Sequence, residues 1–315
     1  MTKTKILNRF RPLDIAFLSY IAIQILLISL FTINKPGWYF FYMFYFAAAG
    51  IGLIFTLFPL PDAGMFWRGL RITYPLFLFL ILYSAIGPLI FMIFDQPFDG
   101  HIVALEKAVF GVDPAFAVQP YMEVWINEIM SFGYISFFVV FPLTAVILLV
   151  KRKWMSLEVL TLSSSLVFYV NCLLFICYPT VGPSYYLSDY YYLPLVGPIL
   201  TPLAANLIRL LDSYYIDIVG RAMPSLFCAI SLVAVYILAS EAKKLRFIVI
   251  PLFLLFCVAS VYGRYHYVSG IIVGLAIGWL GLLISRKWQA TFKVGENVSI
   301  CAKSESELKT VGTKE

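Results

Sequence analysis

Only two histidines, His101 and His266, occur in the 315 residues, so an imidazole can act as a proton carrier or nucleophile in few places. His266 stands in SVYGRYHYVSGIIVG, two residues after Arg264. A guanidinium beside an imidazole is suited to holding a phosphate and attacking its phosphorus. The competing reading is a headgroup-zone anchor, because Arg, Tyr and His all favour the membrane interface. Two further segments carry polar residues of the right kind, PTVGPSYY at 179–186 and RAMPS at 221–225. Arg221 is either a phosphate contact or a surface charge. Ser225 is placed to cap the helix that follows it, whose first amides can hold an anion. No metal-ligand spacing joins the five cysteines to a histidine, so neither a metal nor a cofactor is expected.

These segments have to be positioned by elements that live in lipid. Hydrophobic residues make up 62% and charged residues 13% of the chain, far from the roughly 45–50% and 25% of a soluble domain. That balance excludes disordered, secreted disulfide-rich and nucleic-acid-binding classes. The net charge of +6 is no polyanion footprint, since its charges lie in short runs between apolar stretches. Apolar runs near 15–34, 38–60, 74–94, 131–150, 159–178, 224–240, 247–262 and 267–285 predict an all-α polytopic bundle of about eight spans. Glycines at 270, 274, 278 and 281 predict close packing of the last span on a neighbour in the same chain. With both termini cytoplasmic, 18 of the 23 Lys and Arg fall on the inner segments and 5 on the outer, a strong positive-inside bias. All three polar segments then lie on the extracytoplasmic side. The outer stretches 95–130 and 179–223 are aromatic and Pro-rich, which predicts a packed cap containing short helices, one of them over 201–215. Residues 286–315 read as a flexible polar cytoplasmic tail.

Between about 104 and 282 the sequence resembles the type-2 phosphatidic acid phosphatase superfamily, in the branch that includes inositol phosphorylceramide synthase. The resemblance rests on LEKAVFGVDPAF, FGYISFFVVFP, YPTVGP, RAMPSL and YGRYHYVSGIIVG in that order. It implies a six-helix core within residues 95–285, preceded by a three-span region over 1–94. It also implies metal-independent phosphoryl transfer to a histidine at position 266, with Arg264 and Arg221 near the phosphate. In the family an aspartate four residues later orients that histidine. A second histidine directly after the proline–serine segment protonates the leaving oxygen, and the loop motif carries a cation.

At these positions the sequence departs from the pattern. Gly270 stands where the orienting aspartate is expected, Phe227 where the second histidine is, and Ser184 where the loop cation is. Losing a general acid costs about 10²–10⁴-fold in rate, and losing the group that orients a histidine can cost about 10⁴-fold. The expectation is a protein that binds phospholipid or sphingolipid headgroups at the extracytoplasmic face with weak or lost catalysis, Ser225 contributing to the phosphate site. The alternatives are an active phosphatase or phosphotransferase that uses His266, and a lipid transporter. The transporter reading is disfavoured by spans almost devoid of ionisable residues.

Overall fold

The computed structural model describes residues 10–32, 37–57, 64–212 and 220–311. Its regular elements are helices, with no strand among the described residues. In chain order they are α1 (Pro12–Phe31), α2 (Trp38–Leu57), α3 (Met65–Ile86), α4 (Asp99–Phe110), α5 (Pro114–Ala117), α6 (Val124–Val150), α7 (Trp154–Cys177), α8 (Pro183–Tyr186), α9 (Leu200–Asp212), α10 (Leu226–Glu241), α11 (Arg246–Tyr262) and α12 (Val268–Val311). Six of them, counting α3 with the 3-10 turn that follows it to Met92, are long and apolar enough to cross a membrane. The protein is a multi-pass membrane bundle.

The two shorter apolar helices, α10 and α11, have 16 and 17 residues. At 1.5 Å per residue they reach roughly 24–26 Å, short of the roughly 30 Å hydrocarbon layer. Both flank the polar segments 221–225 and 263–270. The bundle is organised on α7, with 78% of its spanning window buried. It packs against α1, α3, α10 and α12. The N-terminal helices therefore dock on the same central helix as the C-terminal ones.

Small residues set the closest approach. A Cβ at Gly274 would lie 2.5 Å from the Ser225 carbonyl oxygen, and one at Gly278 would lie 2.6 Å from that of Ala229. The glycine face of α12 is thus the seat of α10, as intrachain packing requires.

Two elements differ from the sequence expectation. The third span starts at Met65 instead of near 74, because Arg68 and Arg71 lie inside α3 and not in an inner loop. Arg71 is buried and paired with Asp14 of α1. Residues 286–311 continue α12 as helix, where an irregular tail is expected.

The cap between the spans is built from α4, α5, α8, α9 and short 3-10 turns. Gly111 ends α4 in the left-handed region at φ 77°, a conformation that costs glycine little. Polar side chains of residues 119–128 hold the backbone of residues 192–201. Gln119 Oε1 accepts from Tyr192 N at 3.0 Å, Asn127 Nδ2 donates to the Val196 carbonyl at 2.8 Å, and Glu128 accepts from Leu200 N and Thr201 N at 2.8 and 2.9 Å.

Candidate active site

Backbone hydrogen bonds draw the three polar segments together. Ala222 N donates to the Thr180 carbonyl at 3.1 Å, Ser184 N to that of Arg264 at 3.0 Å, and Ser225 N to that of Gly270 at 2.9 Å. Gly182 makes the first of these crossings feasible. Its φ is 92°, and a Cβ there would meet Ala222 Cβ at 2.9 Å.

Two carboxylates on α4 brace the same junction. Asp99 is fully buried and accepts from Val181 N and Gly182 N, each at 2.8 Å, and from the Tyr267 hydroxyl at 2.7 Å. Glu106 accepts from Ser269 N and Ser269 Oγ at the start of α12. Burial raises the Glu106 carboxyl above its ordinary range, and the Ser269 bonds partly offset this. Tyrosine is a residue type that suits the lipid headgroup zone, but Tyr267 does not lie there. Instead it is 1% exposed, because Asp99 draws its hydroxyl inward.

His266 lies in the turn between α11 and α12 and is 6% exposed. Its Nδ1 is 2.9 Å from the Ala222 carbonyl oxygen. A carbonyl oxygen can only accept, so Nδ1 carries the proton and Nε2 keeps its lone pair. Gly270 explains why a carbonyl holds this place. A Cβ at 270 would lie 3.3 Å from that same Ala222 oxygen. The backbone of 222–223 thus comes up against position 270, where the sequence resemblance leads one to expect an aspartate.

Burial pushes the His266 imidazole down to about 4, and the Ala222 hydrogen bond pulls the other way. The sign follows directly. With its folded value below the ordinary one near 6.5, neutral His266 contributes fully to stability above that pH, and the contribution is lost as pH falls toward 4. Any reaction needing neutral His266 is therefore expected to keep its kcat/KM down to about pH 4. A pH–rate profile with a His266-dependent acid limb near 6.5 would contradict this burial.

His266, Arg221, Ser184 and Phe227 line one cavity of about 70 Å³, room for a single small group, together with Tyr83 and three other tyrosines. The Phe227 ring is 6.4 Å from the His266 ring and 5.2 Å from Phe137, and so presents an apolar wall. Arg221 is 8% exposed, donates from Nη1 to the Tyr83 carbonyl at 3.0 Å, and lies 4.1 Å over the Tyr83 ring.

Arg264 is turned elsewhere. Its Nη2 donates to the Leu193 carbonyl at 2.7 Å, and its guanidinium stacks 4.1 Å over Tyr191. It lines an adjoining cavity of about 670 Å³, which shares Ser184, Ile208 and Tyr265 with the first. Arg264 also has a positive φ of 62°, the kind of local strain that gathers at functional sites. Ser225, expected at the phosphate site, is fully buried and lines neither cavity; it caps α10 by accepting from Cys228 N at 3.4 Å. His101 is exposed on the first turn of α4, its ring 5.6 Å from Phe98, and lines neither cavity. Asp217, another conceivable partner, lies outside the described residues.

Residues 101–284 match the family model of the PAP2 superfamily. The chain belongs to the PAP2 superfamily. No curated protein and no solved structure matches it. All three converging segments fall within the PAP2 match, whereas Tyr83 lies outside it.

Three contributors had no motif to announce them. The Ala222 carbonyl is backbone, Tyr83 sits in an ordinary apolar span, and Asp99 acts on amides 82 and 83 residues away. The one sequence signal was Gly270, a glycine where the resemblance leads one to expect a side chain.

Proposed function

We propose that this PAP2 protein binds the phosphate of a membrane phospholipid or sphingolipid in the His266 cavity, on the extracytoplasmic face, and transfers the phosphoryl group to His266 at a reduced rate. The observation that carries this is the Nδ1–H bond to the Ala222 carbonyl. It supplies the tautomer control that Gly270 has lost, and burial keeps Nε2 unprotonated at neutral pH. Nε2 then attacks phosphorus, the ester oxygen departs, and water or an acceptor hydroxyl takes the phosphoryl group from the histidine. Catalysis of this kind is mainly positioning and charge stabilisation, and Arg221 is the cation lining the cavity.

The rate is reduced for a physical reason. A carbonyl stabilises the developing imidazolium less than a carboxylate does, because it brings a partial charge and not a full one. The order of motifs supports placement near the inositol phosphorylceramide synthase branch, with the larger cavity receiving the rest of the headgroup or an acceptor. A second reading, headgroup binding without turnover, is favoured by Phe227 and by the engagement of Arg264 away from the His266 cavity.

The test is phosphate release from labelled phosphatidate by the purified protein in nanodiscs. Slow, protein-dependent release is expected. Saturable headgroup binding with no release would select the second reading.

A further inference from the structure

The apolar Phe227 leaves the proposed reaction without the leaving-group acid that the family places there. We infer that Tyr83, on α3, supplies that proton. The inference rests on the His266 phosphoryl-transfer reading and adds a residue to it from outside the PAP2 match.

Position decides in favour of Tyr83. It lines the cavity that holds His266 and Arg221. Its ring centroid is 5.9 Å from that of Phe227, so the phenol stands beside the place vacated by the family's imidazole. Tyr83 is 8% exposed, and α3 is fixed there by packing on α7. Arg221 holds it twice, through the Tyr83 carbonyl at 3.0 Å and across the ring face at 4.1 Å. A guanidinium over the ring stabilises the phenolate that remains once the proton has left. The same cation lines the phosphate cavity, so one arginine serves both charges.

The other donors are less suited. The Tyr134 and Tyr265 rings pack against each other at 4.4 Å, tilted by 49°. Tyr185 is 53% exposed. His101 lines neither cavity, and Asp99 and Glu106 are engaged by the backbone at 181–182 and 269.

The step balances. His266 Nε2 forms a bond to phosphorus as the phosphorus–oxygen ester bond breaks. Its electron pair goes to the lipid oxygen, which takes the Tyr83 proton and leaves as an alcohol. Water then attacks phosphorus as the nitrogen–phosphorus bond breaks to return neutral His266; the released phosphate gives one water proton to solvent, and solvent returns one to the Tyr83 phenolate. The net change is ester plus water to alcohol plus phosphate.

Proton donation is read by leaving-group dependence. Tyr83→Phe keeps the ring for Arg221 and the backbone carbonyl, and removes only the hydroxyl. Its kcat is expected to fall about 10²–10³-fold on dioctanoyl phosphatidate, whose alkoxide must be protonated. On p-nitrophenyl phosphate, whose phenolate leaves unaided, the fall is expected to be less than about tenfold. Phe227→His placed in the Tyr83→Phe protein is expected to restore phosphatidate turnover, which also shows that the variant folds. Equal losses on both substrates, no loss on phosphatidate, or no rescue would overturn the role of Tyr83. Release that survives His266→Ala, or no release by the unaltered protein, would instead overturn the reading beneath it.

Discussion

His266→Ala lowers phosphate release from a lipid phosphomonoester by about 10⁴-fold or more, the loss typical of removing the nucleophile from a catalytic unit. The size follows from the site. The imidazole is buried at 6% exposure, and one backbone carbonyl fixes its tautomer. No second histidine lines either cavity among the described residues. Alanine leaves the backbone hydrogen bonds of the three crossing segments intact, so the fold and the capacity to bind headgroups are expected to persist. Initial rates and headgroup binding measured on the same nanodisc preparation separate the two. A variant that loses binding along with release would point to collapse of the junction and not to lost chemistry.

The second large effect concerns stability. Asp14 and Arg71 are 0% and 1% exposed and face each other at the N-terminal ends of α1 and α3. Asp14 also accepts from the Tyr74 hydroxyl at 3.1 Å and from Arg11 N at 2.9 Å. Nε and Nη1 of Arg71 have no hydrogen-bond partner among the described residues, so the charge of this guanidinium depends on Asp14. Asp14→Ala would leave a cation uncompensated inside the bundle, a defect of about 3–5 kcal/mol. A fall of about 10 °C in the thermal unfolding midpoint is expected. Replacing the pair together by apolar residues of similar size, Asp14→Leu with Arg71→Met, is expected to recover most of it, because no charge is then stranded. A single variant within about 1 °C of the parent would show that the pair is solvated in the membrane-embedded protein.

The same pair shows where sequence reasoning reaches and where it stops. Of the eight apolar runs, six coincide with helices long enough to span and two with the shorter α10 and α11 among the described residues, since lipid imposes length and hydrophobicity on a span directly. The start of α3 was hidden because Arg68 and Arg71 look like loop charges until a partner is known, and the partner of Arg71 is 57 residues away on another helix. The three polar segments were legible as a converging set from their places beside spans. That Arg221 lines the His266 cavity while Arg264 lines the adjoining one was not, because side-chain direction in an irregular turn leaves no periodicity to read. Gly270 marked a loss, yet what fills that loss is a backbone oxygen, which every residue has and no sequence displays. Tyr267 shows the converse. Its type suited the headgroup zone, but Asp99, 168 positions away in sequence, holds it inside.

The most direct test of the account is covalent. Lipid phosphate labelled at phosphorus is mixed with the protein in nanodiscs, quenched in alkali within the first turnover, and the digested peptides are weighed. The account predicts a phosphoryl adduct on the peptide carrying His266, stable to alkali, labile to acid and absent from His266→Ala. Phosphate release with no adduct at His266, or an adduct on another residue, would contradict it.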